Sequence, residues 1–336
     1  MRKKLILVLC LIFSLILVSC NNNVEEKDAK ENETKVENEI KENKEINFVY
    51  PAGAPAITTL KFRKDNQQIM DTKINYNMLK TTDLLVSKLV SKEADIAIVP
   101  TNLASKLYNK GLDYKLVGSS VWGVLYLVSD ESMDDIKNLR GKDIYAIGKG
   151  LTPDILLRYI LKQNEIDPDK DVNITYLSGA TELVPSYISG KAKIALMPEP
   201  MLSTVMAKKD TNIILDFQKE FGNKKDLMGY PQVSIIARGD ILEDKVFMEE
   251  FFKNYKESIS YMNDNKLEVK DLAKEFEIGI NENIIVKSLD RIPMNFYYAK
   301  DIKDSLNEYL TILYDFSKES VGGNLPKDDF YYDDVK

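Results

Sequence analysis

The stretch AIGKGLTPDILLRYIL, residues 146–161, combines the end of an apolar strand, a glycine turn and the start of a helix. Thr152 is suited to cap this helix, Pro153 to its first position, and the Asp154 carboxylate to the positive end of the helix dipole. The first backbone N–H groups of the helix need an acceptor. A dinucleotide, a phosphate, a small anion or water could supply it. The stretch therefore predicts an α/β unit and leaves its occupant open.

Strands and helices alternate on both sides of this unit. Short apolar runs such as INFVYP (46–51), DIAIVP (95–100) and AKIALMP (192–198) each precede a segment with helical features. This alternation is typical of parallel α/β sheets, in which ligands bind at the carboxyl ends of the strands. The last part of the chain predicts long amphipathic helices over 244–263, 269–277 and 302–317.

Two strand-like connections divide the body of the chain into two lobes. Residues 120–129 would carry the chain into the second lobe, and residues 230–238 would bring it back. The sequence thus predicts a discontinuous lobe I, residues 46–121 plus 234–336, and a lobe II over residues 122–233.

Composition restricts the chemistry. The chain has 336 residues, a net charge of −7 and no histidine. Its length suffices for two medium-sized domains, and its negative charge disfavours nucleic acid as a partner. Without histidine, zinc sites of the usual His/Cys type and Ser–His or Cys–His nucleophile pairs are excluded. We therefore expect no metal, no cofactor and no catalytic residue.

Residues 1–20 have the pattern of an export signal. A basic start is followed by an apolar run over 5–18, shorter than the roughly 20 residues that a transmembrane helix needs. LVSC (17–20) resembles the bacterial lipobox, which implies a lipid on Cys20 that holds the protein at the extracytoplasmic face of the cell membrane. An ordinary secretory signal with an incidental cysteine is the alternative. Residues 21–45, rich in Asn, Glu and Lys, predict a disordered charged tether.

Five stretches of the body of the chain carry a joint resemblance to a known family. They are EADIAIVPTNLASKLYNKG (93–111), YKLVGSSVWGVLYLVS (114–129), IKNLRGKDIYAIGKGLTPDILLRYIL (136–161), SGKAKIALMPEP (189–200) and GGNLPKDDFYY (322–332). Together they resemble the extracytoplasmic solute-binding proteins of ABC importers, in the SsuA/THI5-like branch that includes nitrate, sulfonate, taurine and thiamine-precursor binders. The resemblance implies the type II periplasmic-binding-protein fold: two doubly wound α/β lobes, a two-strand hinge and a ligand between the lobes. It also implies a membrane permease and an ATPase as partners.

This sequence also departs from the branch it resembles. Binders of simple anions there tend to bring basic side chains to the cleft, whereas here only Lys149 is suitably placed, with Arg291 as a second candidate. A THI5-like enzyme would use its own histidine and a cofactor lysine, and this chain has no histidine. The enzyme is therefore disfavoured, and the identity of the solute stays open.

Loops after strands are the natural ligand contacts in such an architecture. Most candidates have a structural alternative: a simple turn for Gly53 and Ala54, a helix cap for the threonines and Asn102, and a core position for Trp122. A carboxylate at Glu199 could accept hydrogen bonds from a heteroaromatic solute or satisfy the dipole of the next helix. The predicted contacts are Gly53, Ala54, Thr82, Thr101, Asn102, Trp122, Lys149, Gly150, Thr152, Thr181, Glu199 and Asn295.

The opening turn does not match a nucleotide motif. It lacks the third glycine of the dinucleotide fingerprint and the Gly-Lys-Ser/Thr ending of a phosphate loop. The sequence thus predicts a lipid-anchored, monomeric protein that captures a small polar, anionic or heteroaromatic solute and delivers it to an ABC permease. A THI5-like enzyme of pyrimidine-precursor metabolism and a solute-sensing surface receptor are the alternatives.

Overall fold

The computed structural model describes residues 44–223 and 229–334. The predicted signal peptide with Cys20 lies outside the described residues, as does nearly all of the predicted tether. In the described part, no helix is both long enough and apolar enough to cross a membrane. Within the same residues, no cluster of three or more His, Cys, Asp or Glu side chains is arranged to hold a metal ion.

The described residues form two sheets, of which the first has seven strands. These are β1 (Lys44–Pro51), β2 (Gln68–Ile69), β3 (Thr72–Leu79), β4 (Ile96–Pro100), β5 (Tyr114–Trp122), β11 (Pro231–Arg238) and β12 (Met294–Tyr298). Their order is β12-β5-β11-β4-β1-β3-β2. β1 pairs in parallel with β3 and β4, whereas β11 runs antiparallel to β4 and β5. The chain therefore leaves this sheet after β5 and returns to it with β11.

The second sheet is built from the intervening segment. Its strands are β6 (Leu125–Ser129), β7 (Asp143–Ile147), β8 (Asn173–Leu177), β9 (Ile194–Pro198) and β10 (Asn212–Asp216). Their order is β10-β6-β9-β7-β8, with β7 parallel to β8 and β9. We call the part built on the first sheet lobe I and the part built on the second sheet lobe II.

Helices follow most of the parallel strands, as the alternation predicts. Thr152 is the first helical residue of its helix and not the cap that the sequence predicts, because Leu151 occupies the cap position. The helices are α1 (Ala54–Ile57), α2 (Leu60–Asp65), α3 (Thr82–Val90), α4 (Thr101–Asn109), α5 (Thr152–Gln163), α6 (Ala180–Ile188), α7 (Met201–Met206), α8 (Phe217–Asn223), α9 (Lys245–Asp264), α10 (Lys266–Glu275), α11 (Glu282–Ser288) and α12 (Lys303–Phe316).

Aromatic side chains fix α9 against the first sheet. The Phe48 ring of β1 meets the Phe251 ring of α9 edge-on, with 5.4 Å between ring centroids. Phe62 of α2 completes the cluster at 4.8 Å from Phe251. Such edge-to-face pairs bury large apolar areas and have a preferred geometry. They pack α2 and α9 against the sheet whose carboxyl edge carries the loops described below.

The two crossings between the lobes lie side by side. Gly123, directly after β5, donates its N–H to the Tyr230 carbonyl at 3.1 Å. The buried Tyr230 hydroxyl in turn accepts from the N–H groups of Val124 and Leu125, at 3.2 and 3.3 Å. A Cβ at Gly123 would lie 2.6 Å from the Tyr230 ring, and its φ of +29° disfavours other residues. A glycine here therefore allows the close contact that joins the crossings.

Gly118 in β5 has no room for a side chain. A Cβ there would lie 2.4 Å from the Tyr297 carbonyl oxygen of β12 and 2.7 Å from the Phe296 ring. We expect Gly118→Ala to lower the free energy of unfolding by about 1–3 kcal/mol, because β12 must move away. Urea unfolding followed by circular dichroism measures it. Gly179→Ala is the matched control, since Gly179 has an extended φ of 170° and an added Cβ would meet nothing within 4 Å; equal losses from both substitutions would contradict the prediction.

Candidate functional site

A cavity of about 390 Å³ lies where the carboxyl ends of strands from both sheets meet. Pro100 ends β4, Ile147 ends β7 and Pro198 ends β9, and all three line the cavity. Its volume is within the roughly 300–1,000 Å³ that is usual for small-molecule sites. We call it the inter-lobe cavity.

Lobe I and the hinge supply most of its polar side chains. Thr82 begins α3, Asn102 and Lys106 belong to α4, and Gln232 lies in β11 at the return crossing. Asn102 and Lys106 are four residues apart, so they share one face of the helix. Among the described residues, no carboxylate forms an ion pair with the Lys106 ammonium group. A positive charge without a counter-charge thus lies at the cavity wall.

Lobe II supplies an apolar wall. Of its described lining residues only Thr152 is polar. A solute in the inter-lobe cavity would therefore meet polar groups on one side and hydrocarbon on the other. The apolar wall consists of Leu125, Ile147, Leu151, Pro153, Leu196 and Pro198.

The glycine turn before α5 has a hydrogen-bond acceptor within the protein. The Asp154 side chain is 2% exposed, and its carboxylate accepts from the Gly150 N–H at 2.8 Å. It also accepts from Arg158 Nε at 2.9 Å and from the Tyr176 hydroxyl at 2.5 Å. Since this buried carboxylate occupies the positive end of the α5 dipole, the turn does not need an external anion.

The next helix of lobe II carries its own carboxylate too. The Glu182 carboxylate at the start of α6 accepts from the Ser178 N–H at 2.9 Å and from its hydroxyl at 2.8 Å. These hydrogen bonds hold the pKa of Glu182 below its usual value. The starts of α5 and α6 are therefore poor sites for a simple anion.

Glu199 forms a buried ion pair that crosses between the lobes. Its side chain is fully buried, with Oε1 at 2.5 Å from Arg291 Nε. The carboxylate also accepts from the Ser203 N–H and hydroxyl, each at 3.0 Å. Tyr126 of lobe II adds a hydrogen bond from its hydroxyl to the Arg291 carbonyl at 2.8 Å. This cluster of side chains ties α7 of lobe II to the segment after α11 of lobe I.

Three of the residues predicted from sequence to contact a ligand line the inter-lobe cavity: Thr82, Asn102 and Thr152. Gly53 follows β1, which lies between β3 and β4, so it belongs to the same sheet edge without lining the cavity. Ala54 is buried in the core of lobe I.

Three further predicted residues lie outside the inter-lobe cavity. The Thr101 hydroxyl is buried and hydrogen-bonds with the Pro231 carbonyl at 2.7 Å. Trp122 is 2% exposed and donates from Nε1 to the Asn295 carbonyl at 2.9 Å. The Asn295 side chain is exposed on β12. None of the three lines the inter-lobe cavity.

The remaining predicted residues of lobe II are also outside the cavity lining. Lys149 is exposed, with Nζ 5.4 Å from the centre of the Tyr176 ring. Gly150 gives its N–H to Asp154, and Thr181 is exposed at the start of α6. Glu199, as described, is paired with Arg291.

Sequence reasoning missed Lys106 and Gln232. For Lys106 a signal exists, because it lies four residues after Asn102 on a predicted helix and so shares its face. For Gln232 the signal is weaker: it is a polar residue at the start of the apolar run that forms the returning strand. Neither Lys106 nor Gln232 directly follows the end of a strand. The expectation that ligand contacts lie on loops after strands therefore does not include them.

Only two ionisable side chains line the cavity among the described residues, Lys106 and Tyr309. Burial raises the pKa of the Tyr309 phenol, and a hydrogen bond with the Thr152 side chain lowers it by less. The phenol is therefore neutral at physiological pH. The cavity thus offers one cation, neutral hydrogen-bonding groups and hydrocarbon.

Solved structures of other proteins have a similar architecture. It resembles a crystal structure described as an ABC transporter from Parabacteroides distasonis, with a TM-score of 0.76 and 26% identity, over 86% of this chain and 99% of that one. It also resembles the periplasmic aliphatic sulphonate binding protein SsuA from Escherichia coli, with a TM-score of 0.66 and 16% identity, over 84% and 92% of the two chains. These likenesses confirm the predicted α/β fold of two lobes; the exact lobe boundaries stay a prediction.

Sequence comparison gives a consistent result. YtlA of Bacillus subtilis (strain 168), described as a binding protein, is 23% identical in an alignment of 255 residues that covers 73% of each chain. The model of the NMT1/THI5-like family matches residues 74–268, more than half of the chain. The match includes most strands of both sheets and the two crossings between them. The chain therefore belongs to the NMT1/THI5-like family.

Proposed function

We propose that this protein is the solute-binding component of an ABC importer and that its solute occupies the inter-lobe cavity. The observation that carries the proposal is the cavity itself, which lies at the strand ends of both lobes and holds one cation without a counter-charge. Relatives support the transport role: YtlA is described as a binding protein, and SsuA as a periplasmic sulphonate-binding protein. A permease and an ATPase are the partners that such a role requires.

Lys106 provides the charge in the proposed complex. Its ammonium group pairs with an anionic or strongly accepting group of the solute, and Asn102 and Thr82 add hydrogen bonds from the same lobe. Thr152 adds one from lobe II. Because the two lobes then contact one molecule, binding favours their closure about the crossings at Gly123 and Tyr230.

In this proposal the protein binds and releases the solute without changing it chemically. The cavity lining contains a lysine and a neutral tyrosine but no carboxylate or thiol among the described residues. General acid–base catalysis most often uses a histidine or a carboxylate, and neither is among the described lining residues. Recovery of intact solute after incubation, measured by mass spectrometry, separates binding from turnover.

We also propose that Cys20 carries the lipid that holds a monomeric protein at the extracytoplasmic face of a bacterial membrane. The basis is the LVSC sequence at residues 17–20. Metabolic labelling with an alkyne fatty acid tests it: the wild-type chain should be labelled and Cys20→Ser should not. Equal labelling of both would contradict the assignment.

Lys106→Ala should weaken binding of the solute about 10- to 100-fold, the usual loss of a charge-assisted hydrogen bond. The solute is found by a thermal-shift screen of the chain without residues 1–20, since a ligand of the native state raises the Tm. Nitrate, sulfonates, thiamine precursors, flavins and aromatic acids make up the screen. Titration calorimetry then gives the Kd for wild type and variant.

Lys110→Ala is the matched control. Lys110 is the exposed C-cap residue directly after α4, one helical turn beyond Lys106, and it does not line the cavity. Its removal should leave the Kd unchanged. If Lys106→Ala binds as tightly as wild type, or if both lysine variants lose affinity equally, the proposed site is wrong.

A further inference from the structure

Gln232 has an unusual position at the wall of the inter-lobe cavity. Its Oε1 is buried and has no hydrogen-bond partner among the described residues. Buried side-chain acceptors are rarely left unpaired, because the acceptor then loses its hydrogen bonds to water without gaining one in the protein. Gln232 lies in β11, where the chain returns from lobe II to lobe I, and the residue lines the cavity. An unpaired acceptor at this place calls for a partner from outside the protein.

The rest of the lining limits what that partner can be. Lobe II presents hydrocarbon from Leu125, Ile147, Leu151 and Leu196. The only cation among the described lining residues is Lys106 of lobe I. The starts of α5 and α6 hold their own carboxylates, and Lys149 does not line the cavity. A compact inorganic anion therefore finds no second positive centre among the described lining residues. The lining therefore suits a molecule with one anionic end and an apolar body.

We propose that Gln232 is a specificity-determining residue that selects organic anions with an apolar body and a hydrogen-bond donor. The anion pairs with Lys106, the body packs on the wall of lobe II, and an O–H or N–H of the solute donates to Gln232 Oε1. Rotation of the carboxamide about its last torsion, which is soft in glutamine, turns Oε1 towards the solute. The inference rests on the proposed function and names the class of solute.

Two matched pairs of compounds test the need for a donor. They are 3-(4-hydroxyphenyl)propanoate with 3-(4-methoxyphenyl)propanoate, and 6-hydroxyhexanoate with 6-methoxyhexanoate. Wild type should bind the hydroxyl member of a pair about tenfold more tightly than the methoxy member. Gln232→Met has similar length and flexibility but no acceptor of this kind, so it should reduce that ratio to about one. Titration calorimetry gives the Kd values.

A second measurement does not depend on any solute. If the Gln232 acceptor is unpaired in the free protein, Gln232→Met removes an unfavourable burial and should raise the Tm by about 2 °C. Gln163→Met is the matched control, because Gln163 is exposed at the end of α5, and its Tm should stay that of wild type. A lower Tm for Gln232→Met would show a structural role and overturn the inference.

The outcomes separate this inference from the proposed function. Equal binding of both members of each pair, or a donor preference that Gln232→Met retains, overturns the role of Gln232 while Lys106-dependent binding of a solute still supports transport. Binding of nitrate with no binding of any of the four organic acids overturns the class of solute. Loss of the donor preference in Gln232→Met together with a higher Tm supports the inference.

Discussion

Glu199→Ala should lower the free energy of unfolding by about 3 kcal/mol, since it leaves the Arg291 guanidinium without its buried counter-charge. The Glu199 side chain is fully buried and that of Arg291 is 23% exposed, so solvent compensates the lost pair only in part. The hydrogen bonds of Ser203 to the carboxylate are lost as well. Urea unfolding followed by circular dichroism measures the change.

Glu131→Ala is the matched control for this prediction. Glu131 pairs with Lys193 at 2.9 Å, but the two side chains are 66% and 64% exposed. Such exposed pairs contribute little, so the free energy of unfolding should change by no more than about 0.5 kcal/mol. If Glu199→Ala is as stable as wild type but no longer binds the solute, the prediction is wrong. Glu199 would then contact the solute, and its ion pair with Arg291 would not stabilise the fold.

Trp122→Ala should cost about 3–5 kcal/mol of the free energy of unfolding, because it empties a large volume next to the first crossing. Trp122 is 2% exposed and meets the Tyr297 ring edge-on at 5.5 Å. The substitution also removes the hydrogen bond that Nε1 donates to the Asn295 carbonyl at 2.9 Å. Circular dichroism is the appropriate measurement, since the protein has no other tryptophan to report by fluorescence.

Trp122→Phe separates volume from hydrogen bonding. It keeps an aromatic ring and removes the Nε1 donor, so the loss should be smaller, about 1–2 kcal/mol. Where either variant is folded, its Kd for the solute should remain near that of wild type because Trp122 does not line the inter-lobe cavity. A stable Trp122→Ala protein with lost affinity would instead assign the indole to solute contact.

Local sequence pattern was sufficient for most of the architecture. The apolar runs and helical spacing predicted β4, β7, β9 and the long helices α9, α10 and α12, because hydrophobic periodicity reports which face of an element is buried. The same pattern did not predict β2, β12 or α11. β2 has two residues, and β12 is an edge strand whose pairing with β5 is irregular. Such elements form only because a neighbouring strand or helix is already in place.

The candidate site was predicted in part, for a related reason. Thr82, Asn102 and Thr152 follow strand ends and line the cavity, so their positions follow from the order of the elements. Lys106 and Gln232, which line it too, come from the second turn of a helix and from a hinge strand. Their proximity depends on how α4 and β11 are placed in space.

The sequence alone determined the alternation of strands and helices and the lack of histidine chemistry, since the first depends on residues close together in the chain and the second on composition. Only the tertiary structure decided which charges are already paired. A carboxylate before a helix can bind a solute, accept hydrogen bonds from the N–H groups of that helix or pair with a distant cation. The local sequence is the same in all three cases. Glu199 meets Arg291 across 92 positions, whereas no carboxylate of the described residues pairs with Lys106. Electrostatic pairing depends on distance in space, and folding alone sets that distance.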